Sequence, residues 1–223
     1  MADFGVAGRL VLVAGATSAS GLAATRALAS AGARVVAVGR DPKKLETVAR
    51  VVPGIRTDVR DLTDEGGVLA LAEQLHGDGE RVDGVLHLVG GWRGGRGLAS
   101  QTDDDFRFLE RSLTALRHVS RAFDQDLRAS TAGRTAIVSS PAVERPLAGS
   151  ANYAAVKAAS EAWALAVAQG FAKGARDSAE PLRAASVIFR VKALAGLEKS
   201  LADAYVALWD APAPDVNART LSL

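Results

Sequence analysis

Tyr153 and Lys157 stand four residues apart in SANYAAVKAASEAWALAVA, residues 150–168. The segment is helical by composition, so this spacing sets both side chains on one face, about one turn apart. An ammonium beside a phenol favours the phenolate, drawing a pKa of about 10 towards neutrality. A tyrosine so placed is expected to donate or accept a proton at physiological pH. Ser140, thirteen residues before the tyrosine, closes the apolar run TAIVSS, where its hydroxyl is expected to face the same cleft and to hydrogen-bond an oxygen of a reacting group. Taken singly, a Tyr/Lys pair reads as surface and a terminal serine as a cap. Together, downstream of a nucleotide-type turn, they read as a site.

That turn is VAGATSASGLAA, residues 13–24. A strand running into a glycine-containing turn and then a helix aims free backbone N–H groups and the positive end of the helix dipole at one point, which suits a pyrophosphate. Gly15 permits the tight exit from the strand and Gly21 the close approach of the helix. Ala19 stands where a further glycine would be usual, and the turn tolerates its methyl group provided its φ is negative. About 20 residues on, where an acidic side chain would grip a ribose 2′-hydroxyl, the next strand ends in Gly39-Arg40. An arginine there pairs with a 2′-phosphate, so NADP is the preferred cofactor, while the adjacent Asp41 leaves NAD open.

The scaffold for these residues is marked by short apolar runs bounded by Gly, Asp or Ser: residues 10–15, 34–39, 82–91, 135–140 and 184–189. They read as strands buried on both faces, as in a parallel sheet. Helical segments are expected at 21–31, 42–52, 64–75, 103–128, 151–173 and around 198–209. Alternation of this kind predicts a single-domain (1–223), Rossmann-type α/β fold, a doubly wound parallel sheet with helices on both faces and its site at the carboxyl ends of the strands.

Lys and Arg exceed Asp and Glu by 27 − 25 = 2 and are scattered, which disfavours a nucleic-acid partner. The chain has no cysteine, excluding disulfides and thiolate chemistry, and His76, His87 and His118 are too far apart for a metal cluster. The first fifteen residues lack a basic leader, and no apolar run reaches membrane-spanning length. The expectation is a soluble cytoplasmic protein acting on a small molecule. His87, in a buried run, reads as a hydrogen-bonded core histidine, His118 as the outer side of the long helix, Trp163 and Trp209 as core or interface, and Asp103 to Asp105 as a helix start.

These residues together resemble the short-chain dehydrogenase/reductase family over essentially the whole chain. The resemblance runs through AGATSASG at the phosphate loop, RTDVRD, HLVG at 87–90 in place of Asn-Asn-Ala-Gly, and Ser140, Tyr153 and Lys157. It implies cofactor contacts by Gly15, Thr17, Ser18, Ala19, Gly21, Leu22 and Arg40, adenine contacts by Asp58 and Val59, and nicotinamide-side contacts by Val89, Gly90 and Gly91. It also implies hydride transfer, with Tyr153 as acid, Lys157 holding the ribose, and Ser140 orienting substrate. Pairing into a homodimer or homotetramer is implied too. Leu109, Leu113, Leu116 and Val119 form an apolar stripe on the long helix that serves either such pairing or the sheet.

Two departures stand out. Ser112 occupies the place of the family's helix asparagine, and VIFRVKALAG replaces the usual Pro-Gly turn and substrate-covering segment, so the lid is short. LVGGWRGG, residues 88–95, is similar to the Gly-Gly-Trp-x-Gly-Gly loop of dihydropteridine reductases, a branch of the family, and Trp92 offers a flat face to an aromatic ring. The expected activity is NADPH-dependent reduction of a small planar conjugated acceptor: a quinonoid dihydropterin, a quinone or a ketone. The competing reading, a nucleotide sensor or scaffold with little turnover, is disfavoured by the intact Ser140, Tyr153 and Lys157.

Overall fold

The computed structural model describes residues 5–223. Seven parallel strands form one sheet in the order β3-β2-β1-β4-β5-β6-β7: β1 (Leu10–Ala14), β2 (Arg34–Gly39), β3 (Arg56–Val59), β4 (Gly84–His87), β5 (Arg134–Ser139), β6 (Ala185–Arg190) and β7 (Thr220–Ser222). The helices between them are α1 (Ala19–Ser30), α2 (Pro42–Val51), α3 (Glu65–Gly77), α4 (Asp103–Ala122), α5 (Asp124–Ala129), α6 (Ala151–Asp177), α7 (Glu198–Val206) and α8 (Ala213–Val216).

The apolar strand runs are continuous because alternate residues serve opposite faces of the sheet. Val11, Val13, Val35 and Ala37 pack into the core beneath α1 and α7. Their neighbours Leu10, Leu12, Val36 and Val38 pack into the core beneath α3 and α4. On the first side Trp209 is buried, donates from its indole nitrogen to Ala132 O at 2.9 Å, and meets Tyr205 edge-on at 5.2 Å. On the second, Leu109, Leu116 and Val119 are buried, and Leu116 and Val119 pack into cores with strand residues, so at least these two of the four stripe residues on α4 serve the sheet.

Several boundaries differ from the expected ones. β3 and β7 have no run among those read as strands, because RTDV is half-exposed and TLS is an edge of three residues. The expected helix 103–128 breaks at Phe123 into α4 and α5. The run 82–91 is strand only to His87, and residues 88–91 are loop. Thr102 caps α4 by accepting from Asp105 N at 3.2 Å, with three aspartates in the first turn as the dipole favours.

The strand order reverses between β1 and β4, and crevices that bind ligands open at such switch points. Residues 191–197 alone connect β6 to α7, which agrees with a short lid.

Candidate active site

The exits of β1 and β4 meet at the switch point. Gly15 has φ +90°, and a Cβ there would stand 2.9 Å from Leu88 C. A Cβ on Gly21 would fall 2.5 Å from Gly15 O. Both glycines are therefore required by close backbone approach, and Ala19, the first residue of α1, is absent from the positive-φ residues. Ser18 caps the helix, its Oγ accepting from Gly21 N at 3.0 Å.

A cleft extends from this turn, lined by Gly15, Thr17, Ser18, Arg40, Val89 and Gly90 from among the expected cofactor residues. It is also lined by Lys44, Asp61, Phe108 and Arg111, to which the motifs alone do not point. Ala19, Gly21, Leu22 and Gly91 are not part of the lining. Asp58 and Val59 do not reach it: Asp58 receives Arg60 Nε at 2.8 Å and Val59 is largely solvent-facing. Asp61 and Leu62 line the cleft. The sequence signal is present in DLTD one turn further on, beyond the end of β3, where a chain leaving the sheet turns towards the switch point.

Charge at the cleft rim is arranged unevenly. Asp61 pairs with Arg111 at 2.8 Å, and Asp41 is occupied in capping α2 at Lys44 N, 3.1 Å. Arg40 and Lys44 form no ion pair among the described residues, so two cations are left facing the cleft. Burial alone would raise the Asp61 carboxyl, but hydrogen bonds from Thr63 and the nearby Arg111 and Arg40 hold it below the usual range.

Beyond Gly90 lies Lys157 of the expected catalytic trio. A Cβ on Gly90 would be 4.0 Å from Lys157 Nζ, which links the cleft to α6. Ser140 lies just past β5, buried, as the cap of a short helical turn, with its Oγ accepting from Ala142 N at 3.2 Å. Ser140 is the side chain that acts to lower the Tyr153 phenol. Lys157 Nζ donates to Val138 O at 2.7 Å and lies 5.7 Å from the Tyr153 ring centre.

The expected lowering of the phenol is not found. Burial pushes Tyr153 above its ordinary value, offset in part by the Ser140 side chain. The helix face is shared as expected, but the β5 carbonyl, and not the phenol oxygen, takes the ammonium. Lys157 itself is brought down to about 8 by burial, against the opposing pull of Glu161.

His87 is buried, its Nε2 bonded to Ser112 O at 3.1 Å, and its pKa falls to about 4, chiefly by desolvation. Ser112 Oγ turns back to Leu109 O at 2.7 Å, so in this structure that hydroxyl is spent on its own helix. Burial of a neutral imidazole makes the fold sensitive to acid. Unfolded, His87 takes a proton at about 6.5, whereas the folded chain takes it only at about 4, so stability falls as pH drops through that window. The loss is on the order of 3 kcal/mol, read by urea unfolding, and His87→Leu is expected to flatten the slope.

The glycine-rich loop is clasped to the segment that leads into α6. Gly95 N donates to Gly149 O at 2.6 Å, Gln101 Nε2 donates to the same oxygen at 3.0 Å, and Asn152 N donates to Gln101 Oε1 at 3.1 Å. A Cβ on Gly91 would meet the Phe108 ring at 2.7 Å. Trp92 is 65% exposed on this loop, its ring lying against Gly94.

A parallel sheet with a glycine turn at its switch point and a Ser-Tyr-Lys set beside it defines a dinucleotide-dependent oxidoreductase site of α/β type. The sequence model described as short chain dehydrogenase matches residues 9–175. Nodulation protein G of Rhizobium meliloti is 32% identical over 170 residues, 76% of this chain and 69% of that protein. A daunorubicin C-13 ketoreductase of Streptomyces is 41% identical over 95 residues, 39% of this chain but only 32% of that protein, so the chain matches about a third of this relative's length. A short chain dehydrogenase of Shigella flexneri, solved with NADP, superposes with a TM-score of 0.84 at 20% identity, covering 99% of both chains. The chain belongs to the short-chain dehydrogenase family of NAD(P)-dependent oxidoreductases.

Among the described residues no helix is long and apolar enough to cross a membrane, and no group of His, Asp and Glu is placed to hold a metal ion.

Proposed function

We propose that the chain is an NADPH-preferring reductase of a small planar conjugated acceptor, such as a quinonoid dihydropterin, a quinone or a ketone. The observation that carries the reading is that Lys157, with Tyr153 one turn before it on α6, lies 4.0 Å from where a Cβ on Gly90 would stand, and Gly90 lines a cleft that Arg40 and Lys44 also line.

The residues fit a dinucleotide. Gly15 and Gly21 leave a cradle that a Cβ would fill, the first turn of α1 offers amides to a pyrophosphate, and the rim cations suit a 2′-phosphate. The nicotinamide, when bound, supplies the hydride. The chain supplies the proton and the orientation. Tyr153, protonated at neutral pH because its phenol is pushed up, gives its proton to the acceptor heteroatom that gains charge. Ser140 orients that atom through its hydroxyl, and Lys157 holds the ribose hydroxyls and stabilises the phenolate left behind. Trp92, exposed on the clasped loop, is the flat surface offered to the acceptor ring. Absence of cysteine fits a cytoplasmic setting, and self-association to a dimer or tetramer would use the outer faces of α4 and α6, where Phe106 and Leu165 are exposed.

The direct test is NADPH oxidation, with NADH in parallel, against a quinonoid dihydropterin formed in the cuvette. Turnover supports the pterin reading; bound NADPH without turnover overturns it and directs the assay to quinones and ketones. Arg40→Ala is expected to raise KM for NADPH by tenfold to a hundredfold, roughly the 1.5–3 kcal/mol of a charge-assisted hydrogen bond, with KM for NADH nearly unchanged. Equal losses for both nucleotides would remove Arg40 as the selecting residue.

A further inference from the structure

Glu161 is a buried carboxylate on α6, one turn beyond Lys157 and two beyond Tyr153, that the mechanism above does not use. Its side chain is 8% exposed and is held from both oxygens by Arg190, the last residue of β6, with Nε to Oε1 at 2.8 Å and Nη2 to Oε2 at 2.6 Å. Arg190 also pairs through Nη1 with Glu144, in the segment between Ser140 and Tyr153. Glu144, Arg190, Glu161 and Lys157 therefore alternate in sign from the 64% exposed Glu144 inwards. The charges sum to zero.

A buried Arg–Glu pair is a poor device for stability, since apolar side chains of the same volume serve as well. Its placement matters for what lies next to it. Lys157 meets Val138 O of β5 and lies 5.7 Å from the Tyr153 ring centre, with His87 of β4 and Glu161 of α6 acting on its charge. Of these, Glu161 is the group whose carboxylate acts to favour the ammonium, and Arg190 keeps that carboxylate ionised and fixed. This also accounts for VIFRVKALAG: an arginine at the end of β6 anchors the helix that carries the site.

We propose that Glu161, clamped by Arg190 and one turn from Lys157 along α6, is a positioning residue for the Lys157 amine. The proposal rests on the reading above that Lys157 serves the site.

The test is a titration of Lys157 in the full chain labelled with 13Cε-lysine. The chain has six lysines, and the Lys157 signal is identified by its loss in Lys157→Met. In Glu161→Gln the midpoint is expected to fall by about one pH unit, the usual effect of losing a nearby opposite charge. The double variant Glu161→Gln/Arg190→Gln removes both buried charges and keeps the test decisive should the single variant, with its stranded guanidinium, fail to fold. Its midpoint is expected to fall too, but by less, because the repulsion from Arg190 is lost with the attraction of Glu161. An unmoved midpoint in the variants that fold overturns the proposal. Since the titration needs neither nucleotide nor acceptor, failure of the reductase reading leaves its outcome standing.

Discussion

Tyr153→Phe lowers kcat by about three orders of magnitude, the range expected when a positioned general acid is removed, and leaves NADPH affinity within a few-fold. The phenol is raised by burial, so at neutral pH it holds a proton that it can give to an acceptor. Phenylalanine keeps the ring and its packing on α6, which separates loss of the proton from loss of structure. Stopped-flow turnover under saturating nucleotide, with nucleotide binding followed by fluorescence, measures both quantities. Retained turnover would transfer the acid role away from Tyr153. Absence of turnover in the parent chain with dihydropterin, quinones and ketones alike, nucleotide being bound, would instead favour a sensor.

Gly21→Ala is expected to cost about 2 kcal/mol of nucleotide binding, roughly thirtyfold in Kd. The added Cβ would stand 2.5 Å from Gly15 O and 2.6 Å from the Ala16 backbone, distances that side chains do not adopt, so the turn must open. The part that opens is the wall that faces the pyrophosphate. Titration of NADPH into the variant, alongside its thermal unfolding, reads the effect. An unchanged Kd would mean the turn serves helix packing only, which small residues between a strand and a helix often do.

Both effects concern residues whose importance is visible in the chain. Gly15 and Gly21 are dictated by local geometry, because a strand turning directly into a helix brings its own backbone into contact within a few residues. Tyr153 and Lys157 share a face because they lie one turn apart on one helix. The buried strands are legible for the same reason, being continuous apolar runs that supply alternate residues to two cores. β3 and β7 are not, since one is half-exposed and the other lies at the sheet edge, where burial leaves little imprint on composition.

The order of residues along the chain thus specifies the elements with strong short-range periodicity, the reversal of direction at Gly15, and the spacing of Ser140, Tyr153 and Lys157. The partner that each polar group takes emerges only when the elements pack. Lys157 turns to Val138 O, Asp58 pairs with Arg60 while Asp61 reaches the cleft, Arg111 arrives from α4, and Glu161 meets Arg190 across 29 residues of chain. Spacing along a helix or strand is fixed by bonds between near neighbours. Pairing between elements is fixed by the register of the sheet and the packing of helices upon it, which no local pattern records.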